Sequence, residues 1–285
     1  MADTQDQAQP CNRGAVAIAH LGKVYGQADK GGVIALDDCS LDIAPNEFIA
    51  LVGPSGCGKS TLANILAGFD QPNSGAVTLD GRTIASPETL AKPGPDRVMV
   101  FQHGALFPWM TILDNVLYGA TRSAAPHSQD LRASALDLLR RSGGLDRVAG
   151  RFPGQVSSGM QRRIEIVRAL MTDPAILILD EPFRAMDSVA KSRMHNHVLA
   201  LHESVPKTTV FITHDLQEAL LLADRVVVMT TRPGRIKQVV EVKLPRPRTT
   251  EVLASEAFLE LKAATHKAVH EEALKAFEAG EKERA

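Results

Sequence analysis

The sequence predicts an α/β fold made of a mostly parallel sheet, a small antiparallel β-sheet beside it and a helix-rich insertion. Short apolar runs alternate with helical stretches, which is the order that a parallel sheet requires. These runs lie at residues 48–52, 97–101, 175–179, 208–213 and 225–229. Mixed or alternating polarity predicts the antiparallel strands at 15–24, 33–43 and 75–84, the last with a turn at Leu79-Asp80-Gly81-Arg82. The insertion spans about residues 103–170.

The length and composition are those of a globular protein with a sizeable core. The chain has 285 residues, of which 44% are hydrophobic, enough for one compound domain or two. A net charge of −1 argues against a dedicated nucleic-acid binder, because such proteins carry a basic surface excess. There is no apolar run of about 18 residues and the chain starts with polar residues. We therefore expect a soluble intracellular protein that reaches a membrane only by binding a partner protein.

A glycine-rich loop follows the first of the five apolar runs and precedes a helical stretch. It reads Gly53-Pro54-Ser55-Gly56-Cys57-Gly58-Lys59-Ser60-Thr61 and fits G-x-x-x-x-G-K-[ST], the pattern of a phosphate-binding loop. The glycines let backbone N–H groups turn toward phosphate oxygens, and the following helix points the positive end of its dipole at the same place. We expect Lys59 to reach the β- and γ-phosphates and Ser60 to hold Mg²⁺. The loop therefore predicts nucleotide binding.

Two adjacent acids end the apolar run at 175–179. We expect Asp180 to orient Mg²⁺ through its water shell and Glu181 to polarise the water that attacks the γ-phosphate. A solvated acidic turn at the end of a strand is the alternative. The phosphate loop upstream disfavours that alternative, because the two patterns together form one nucleotide site.

Two further motifs complete the pattern. The segment Val156-Ser157-Ser158-Gly159-Met160 lies about twenty residues before the acid pair, and His214 ends an apolar strand about thirty residues after it. With these motifs in this order, residues 15–248 resemble the ATP-binding subunit of ABC transporters. The resemblance implies a P-loop ATPase core with a small antiparallel β-subdomain and an inserted helical subdomain.

The resemblance also implies a domain organisation. It predicts a disordered tail at residues 1–13, a nucleotide-binding domain at 14–248 with its helical subdomain at about 103–170, and a C-terminal helical extension at 249–285. The apolar residues spaced among polar ones in 251–278 predict one or two amphipathic helices. The sequence does not indicate their function.

The resemblance gives the residues around the nucleotide specific roles, with ATP and Mg²⁺ as cofactors. It implies that Tyr25 stacks on adenine and that residues 53–61 form the Walker A loop. Gln102 matches the Q-loop glutamine, which senses Mg²⁺ and the γ-phosphate. Asp180 matches the Walker B aspartate, and Glu181 the catalytic base beside it.

Other motif residues imply a second subunit. His214 matches the switch histidine that contacts the γ-phosphate, although capping of the helix that begins at Asp215 is an alternative role. Asp187 fits the D-loop. Ser157 and Gly159 match the signature motif, which binds the γ-phosphate held by another subunit. The resemblance therefore implies a head-to-tail dimer, in which neither copy completes a site alone.

Several segments narrow the resemblance to the nitrate/sulfonate/taurine branch of bacterial importers. They are residues 104–116, Glu181-Pro182-Phe183, Arg232-Pro233-Gly234-Arg235-Ile236 and Leu244-Pro245-Arg246-Pro247-Arg248. This branch implies an integral-membrane permease, a separate solute-binding protein that acts indirectly, no nucleic acid, and a location at the cytoplasmic face of the bacterial inner membrane. The solute is not determined, because nothing in this chain contacts it.

Two alternative functions would show sequence features that differ from those of this chain. A soluble ABC-type ATPase of translation or chromosome maintenance has two cassettes or a long inserted coiled coil, whereas this chain has about a hundred residues between its first and signature motifs. A P-loop kinase or GTPase lacks the signature, the D-loop and the switch histidine. We therefore expect an ATPase that powers an importer.

Three positions leave alternatives open. Trp109 either forms a docking surface for the permease or is buried in the helical subdomain. Ser158 replaces a glycine of the usual signature, which costs on the order of 1 kcal/mol if its φ is positive and little if it is negative. We expect a negative φ and an active homodimer; the rival is a weakened half-site that needs a second, intact subunit. Arg184 is expected at the dimer seam, pairing with an acid across it.

Overall fold

The computed structural model describes residues 13–26, 31–122, 130–184 and 186–282. Within these ranges the chain forms ten β-strands and seven α-helices. The strands are β1 Val16–Tyr25, β2 Val33–Ile43, β3 Phe48–Val52, β4 Ser74–Leu79, β5 Arg82–Ala85, β6 Arg97–Val100, β7 Ile176–Asp180, β8 Thr208–Ile212, β9 Arg225–Met229 and β10 Ile236–Glu241. The helices are α1 Lys59–Ala67, α2 Ile112–Ala120, α3 Leu131–Arg141, α4 Ser158–Met171, α5 Ser188–Ser204, α6 Leu216–Leu222 and α7 Glu256–Lys282. The predicted tail at 1–13 lies outside the described residues, apart from Arg13.

The larger sheet has the strand order β10-β9-β3-β8-β7-β6. All neighbouring pairs are parallel except β10 with β9. Every residue of β3 and of β8 is buried, as expected for central parallel strands covered on both faces. The predicted parallel sheet is confirmed. The strand β10 was not predicted from the sequence, because this half-exposed edge strand has no continuous apolar run.

The smaller sheet is antiparallel, with the order β2-β1-β4-β5, and it confirms the second predicted sheet. Helix α1 and the buried faces of the two sheets share one hydrophobic core. That core includes Leu41 and Val77 of the small sheet, Ile49 and Leu51 of β3, and Leu62, Ile65 and Leu66 of α1. The start of α1 is therefore fixed by packing from both sheets.

Helices α2, α3 and α4 enclose a core of their own, in which Ile112, Val116, Leu139, Ile164 and Val167 are buried. Short 3-10 helices at Leu145–Val148 and Pro153–Gln155 connect α3 to α4. The helix-rich insertion is thus present, while the predicted domain limits stay predictions.

The C-terminal segment contains a 3-10 helix, Thr250–Ala254, followed by the single long helix α7. Phe258 and Ala268 of α7 are buried in the core cluster that covers the other face of the parallel sheet. Glu272 is buried too, and its carboxylate accepts hydrogen bonds from the backbone N–H of Thr231 and from Lys237. Of the helices in the described ranges, none is both long and apolar enough to cross a membrane.

Candidate active site

The glycine-rich loop lies between the end of β3 and the start of α1, at the carboxyl edge of the parallel sheet. Gly56 and Gly58 have φ angles of +76° and +96°, in the left-handed region that favours glycine. A Cβ atom at Gly58 would lie 2.7 Å from the carbonyl oxygen of Ala35. One at Gly53 would lie 2.8 Å from Sγ of Cys57. Close packing as well as the turn therefore requires glycine in this loop.

Lys59 is the first residue of α1, and only 7% of it is exposed. Its ammonium group donates to the carbonyl oxygens of Gly53 at 2.8 Å and Pro54 at 2.9 Å, so it lies within the curve of the loop. No side chain caps the start of α1. A positive side chain and uncapped backbone N–H groups at one helix start form a binding site for an anion such as phosphate.

The acid pair stands at the end of β7, two strands from β3 on the same sheet edge. Burial raises the pKa of Asp180, and a hydrogen bond with the hydroxyl of Ser60 opposes that rise. Asp180 and Ser60 thus bring a carboxylate and a hydroxyl together beside Lys59. Glu181 adopts a φ of +41°, and its N–H donates to the carbonyl of Ile212 at 3.0 Å. That bond ties the turn after β7 to the end of β8.

The carboxylate of Glu181 has two partners. Its Oε2 lies 3.0 Å from Nη1 of Arg184, and its Oε1 lies 3.6 Å from Nδ1 of His214. Assigning the Gln102 amide so that its oxygen faces donors puts that oxygen 3.3 Å from Nε and 3.0 Å from Nη1 of the same guanidinium. We call Gln102, Glu181, Arg184 and His214 the acid–arginine cluster. The sequence predicted that Arg184 lies at the dimer seam and pairs with an acid across it, whereas in this structure it pairs with Glu181 of its own chain.

Tyr25, at the end of β1, lies beside the phosphate loop, with its hydroxyl 3.5 Å from that of Thr61 and 42% of its surface exposed. Its hydroxyl donates to Oδ2 of Asp70 at 2.6 Å, and the ammonium of Lys23 lies 4.9 Å from the ring centroid. Burial and the bond to Asp70 raise the pKa of Tyr25. The ring is therefore held in place by its hydroxyl while much of its surface stays accessible for stacking.

One cleft of about 510 Å³ brings the predicted residues together. Nine of them line it: Tyr25, Ser55, Gly56, Gly58, Lys59, Ser60, Thr61, Gln102 and Glu181. Four lining residues were not predicted: Val33, Ala35, Arg184 and Arg232. Arg184 could have been found from its place three residues after Glu181 in one turn. Arg232 comes near Gly56 only because β9 pairs with β3, which no local pattern reveals.

Eight predicted residues are not among those that line this cleft. Gly53, Pro54 and Cys57 belong to the loop itself, and Asp180 and His214 neighbour Glu181. The other three are Ser157, Gly159 and Asp187. Ser157 caps α4 by accepting from the N–H of Met160, and Asp187 caps α5 by accepting from Val189 and Ala190. Gly159 lies in the first turn of α4, where an added Cβ would meet open space. Next to it, Ser158 has no positive φ, so the expected backbone is confirmed.

His214 is 61% exposed in its side chain and reaches the cleft only through Glu181. The alternative role considered for it, capping of α6, belongs to Asp215. The Asp215 carboxylate accepts from the N–H groups of Gln217 and Glu218.

A phosphate loop at the edge of a parallel sheet, facing an acid pair across one cleft, defines a P-loop nucleotide-binding protein. The profile of the ABC transporter family matches residues 36–184, more than half of the chain. The chain belongs to this family and is an ATP-binding ATPase subunit, as the sequence predicted.

Individual proteins of known sequence or structure are similar to this chain over most of its length. The nitrate import ATP-binding protein NrtD of Synechococcus elongatus is 40% identical over 247 residues, which cover 86% of this chain and 87% of NrtD. The bicarbonate transport ATP-binding protein CmpC of Synechocystis is 39% identical over 82% of this chain, which spans only 34% of CmpC. A dimeric post-hydrolysis structure of the ATP-binding cassette MJ0796 bound to ADP and Pi has a TM-score of 0.67 and 30% identity, covering 81% of this chain and 100% of that one.

Proposed function

We propose that this protein is the ATPase subunit of an ABC importer for a small anion, such as nitrate, a sulfonate or taurine. The observation that carries the proposal is the single cleft in which Lys59, Ser60, Gln102 and Glu181 converge. The solute class rests on the relatives of similar length and sequence, of which NrtD is a nitrate import protein.

The nucleotide-binding part of the mechanism uses both walls of the cleft. The ring of Tyr25 stacks on adenine, and the loop N–H groups with Lys59 bind the phosphates. Ser60, Asp180 and the amide oxygen of Gln102 provide oxygen ligands, the donor type that Mg²⁺ prefers. Mg²⁺ held by these three residues would supply positive charge against the negative charge of the transferring phosphate.

In the hydrolytic step, Glu181 accepts a proton from the attacking water, and His214 stabilises the γ-phosphate beside it. The contact between His214 and Glu181, at 3.6 Å, keeps these two groups next to each other. Most of the catalytic effect in this scheme is positioning and charge stabilisation, as in other phosphoryl transfers.

A second copy of the chain completes each site in this proposal. Ser157 and Asp187 are exposed and lie outside the cleft of their own subunit. Together with Gly159 they are available to a nucleotide held by another copy, packed head to tail. The 30% identical cassette MJ0796 is dimeric in its post-hydrolysis structure, which supports this arrangement.

The partner in the membrane is a permease subunit, to which a solute-binding protein delivers the anion. Trp109 is 72% exposed, so the alternative that it is buried is wrong. Its ring packs on Phe107 at 5.5 Å between centroids with the planes tilted by 33°, and Phe107 packs edge-on against Tyr118 at 4.7 Å. This aromatic patch lies a few residues after Gln102, and we propose it as the contact with the permease, at the cytoplasmic face of the bacterial inner membrane.

Glu181→Gln tests the catalytic assignment. We expect ATP binding to persist while turnover falls by about 100-fold or more, because the amide cannot accept the proton. Gel filtration with ATP should show a trapped dimer. Near-normal turnover would remove Glu181 from the mechanism.

Trp109→Asp tests the importer assignment. We expect the variant to lose co-purification with the permease while the isolated subunit keeps its ATPase rate, because an exposed charge there opposes apolar docking. Trp109→Phe is the matched control and should keep the permease. If the aspartate variant still binds the permease and supports transport, the patch is not the contact.

A further inference from the structure

Arg184 joins two segments that lie far apart in the sequence. Its Nη1 lies 3.0 Å from Oε2 of Glu181, and its Nε and Nη1 lie 3.3 and 3.0 Å from the amide oxygen of Gln102. A guanidinium is a planar fork with several donors, and so it can hold both acceptors at once, which an ammonium group does poorly. Arg184 therefore connects the turn after β7 to the segment after β6.

The other side of the Gln102 segment is held by α4. Arg162 donates from Nη1 to the carbonyl of Phe101 at 2.6 Å, and its Nη2 donates to the carbonyl of Gln102. Glu165, which is buried, accepts from the N–H of Ala105 at 2.7 Å. The backbone around Gln102 is thus fixed to α4, and its side chain is fixed to Arg184.

These contacts engage the groups that the proposed hydrolysis needs. One oxygen of Glu181 accepts from Arg184 and the other faces His214, so the guanidinium competes with water for the carboxylate. The amide oxygen of Gln102 points at Arg184 as well. The Arg184 side chain is 57% exposed, and exposed ion pairs are weak because water screens them, so this restraint can be broken in each catalytic cycle.

We propose that Arg184 is a positioning residue that holds Glu181 and Gln102 to each other and slows hydrolysis in the isolated subunit. The inference rests on the proposed role of Glu181 as the base. Breaking the contacts of Arg184 with Glu181 and with Gln102 frees both acceptors for the nucleotide site. Arg184 itself binds neither the nucleotide nor a second subunit in this scheme.

The test compares steady-state ATPase kinetics of the isolated full-length chain and its variants. Arg184→Ala should raise kcat about three- to tenfold, as expected from losing a restraint of about 1 kcal/mol, and leave KM for ATP within about twofold. Arg184→Lys should give an intermediate kcat, because an ammonium can still pair with Glu181 but does not span to Gln102. Arg132→Ala, an exposed arginine on α3, is the matched control and should change neither constant.

The double variant Arg184→Ala with Glu181→Gln shows whether the rise in kcat depends on Glu181. It should be as slow as Glu181→Gln alone. A fall or no change in kcat for Arg184→Ala would overturn the inference, and so would a gain that persists in the double variant. If Glu181→Gln alone keeps normal turnover, it is the base assignment that fails, so the two failures are distinguishable.

Discussion

The phosphate loop and the acid–arginine cluster line one cleft but are built in different ways. The loop is nine consecutive residues whose shape follows from its glycines and from the packing of α1 between two sheets. The cluster combines side chains from the ends of β6, β7 and β8, brought together only by the strand order. A consecutive motif therefore predicts its own geometry, whereas a cluster of distant side chains is arranged by the tertiary fold.

The two regions also differ in how firmly their charged groups are held. Lys59 is 7% exposed and bonded to carbonyl groups of its own loop, while Arg184 is 57% exposed in its side chain. Buried, close-packed groups have one arrangement, and exposed ion pairs rearrange at little cost. We infer that the loop serves as a rigid cradle and the cluster as the part that changes during turnover.

Lys59→Ala removes the charged side chain of the rigid phosphate loop, and it has the largest expected effect. Removing the positive charge from the centre of the loop should weaken ATP binding by about 100-fold or more, because a desolvated charge pair with phosphate is lost. Isothermal titration calorimetry with ATP measures it. Lys243→Ala, on an 84% exposed side chain, is the control and should bind normally. Equal affinities would mean that the loop does not hold phosphate.

Gly58→Ala and Gly159→Ala compare two glycines with opposite surroundings. At Gly58 the positive φ and the carbonyl of Ala35 both exclude a Cβ, and we expect the free energy of unfolding to fall by about 2–4 kcal/mol. Gly159 is helical and has open space around it, so alanine there should be neutral or stabilise by up to about 1 kcal/mol. Chemical denaturation measures both, and equal losses would contradict the packing argument.

The surroundings of Glu218 test the comparison between the loop and the acid–arginine cluster. Some of its partners also come from a distant part of the chain, but Glu218 is buried and held firmly. Its carboxylate accepts from the hydroxyl of Thr213, the residue before His214, at 2.7 Å and lies 2.8 Å from Nζ of Lys191 in an ion pair. Burial alone would raise the pKa of Glu218, but hydrogen bonds with His195, Lys191 and Thr213 lower it from 4.5 to about 2. The lowered pKa means that the folded state binds this proton less readily than the unfolded state.

The stability from Glu218 is therefore fully present above about pH 4.5 and is lost as the pH falls toward about 2. We expect it to contribute on the order of 3 kcal/mol at neutral pH. Urea unfolding at a series of pH values should show a slope in this window that Glu218→Gln reduces. Glu241→Gln, an exposed acid, is the control and should keep the slope. An unchanged slope in the Glu218 variant would show that these hydrogen bonds are not retained in solution.

Ser158→Gly has the smallest expected effect. Because the φ of Ser158 is not positive, glycine relieves no strain at that position. The ATPase rate should change less than tenfold, a barrier difference below about 1.4 kcal/mol. A dead wild type that Ser158→Gly rescues would overturn the proposed active homodimer and point to a second, intact subunit.

Both sheets and the position of the phosphate loop were predictable from the sequence. Apolar runs and alternation are local signals, and the loop's lysine and hydroxyl residues are fixed by spacing within one motif. The strand β10 and the place of Arg232 in the cleft were not predictable, since each depends on which strand lies beside β9. Trp109 was undecided because one aromatic side chain suits a core and an exposed patch equally well.

The sequence alone determined that this chain binds nucleotide and belongs to the ABC family, because short-range spacing specifies backbone shape and donor chemistry. The tertiary structure alone decided that Arg184 contacts Glu181 and Gln102 of its own chain. Contacts between distant side chains depend on strand order and on the direction of each turn, and a pattern of residue types does not contain that information.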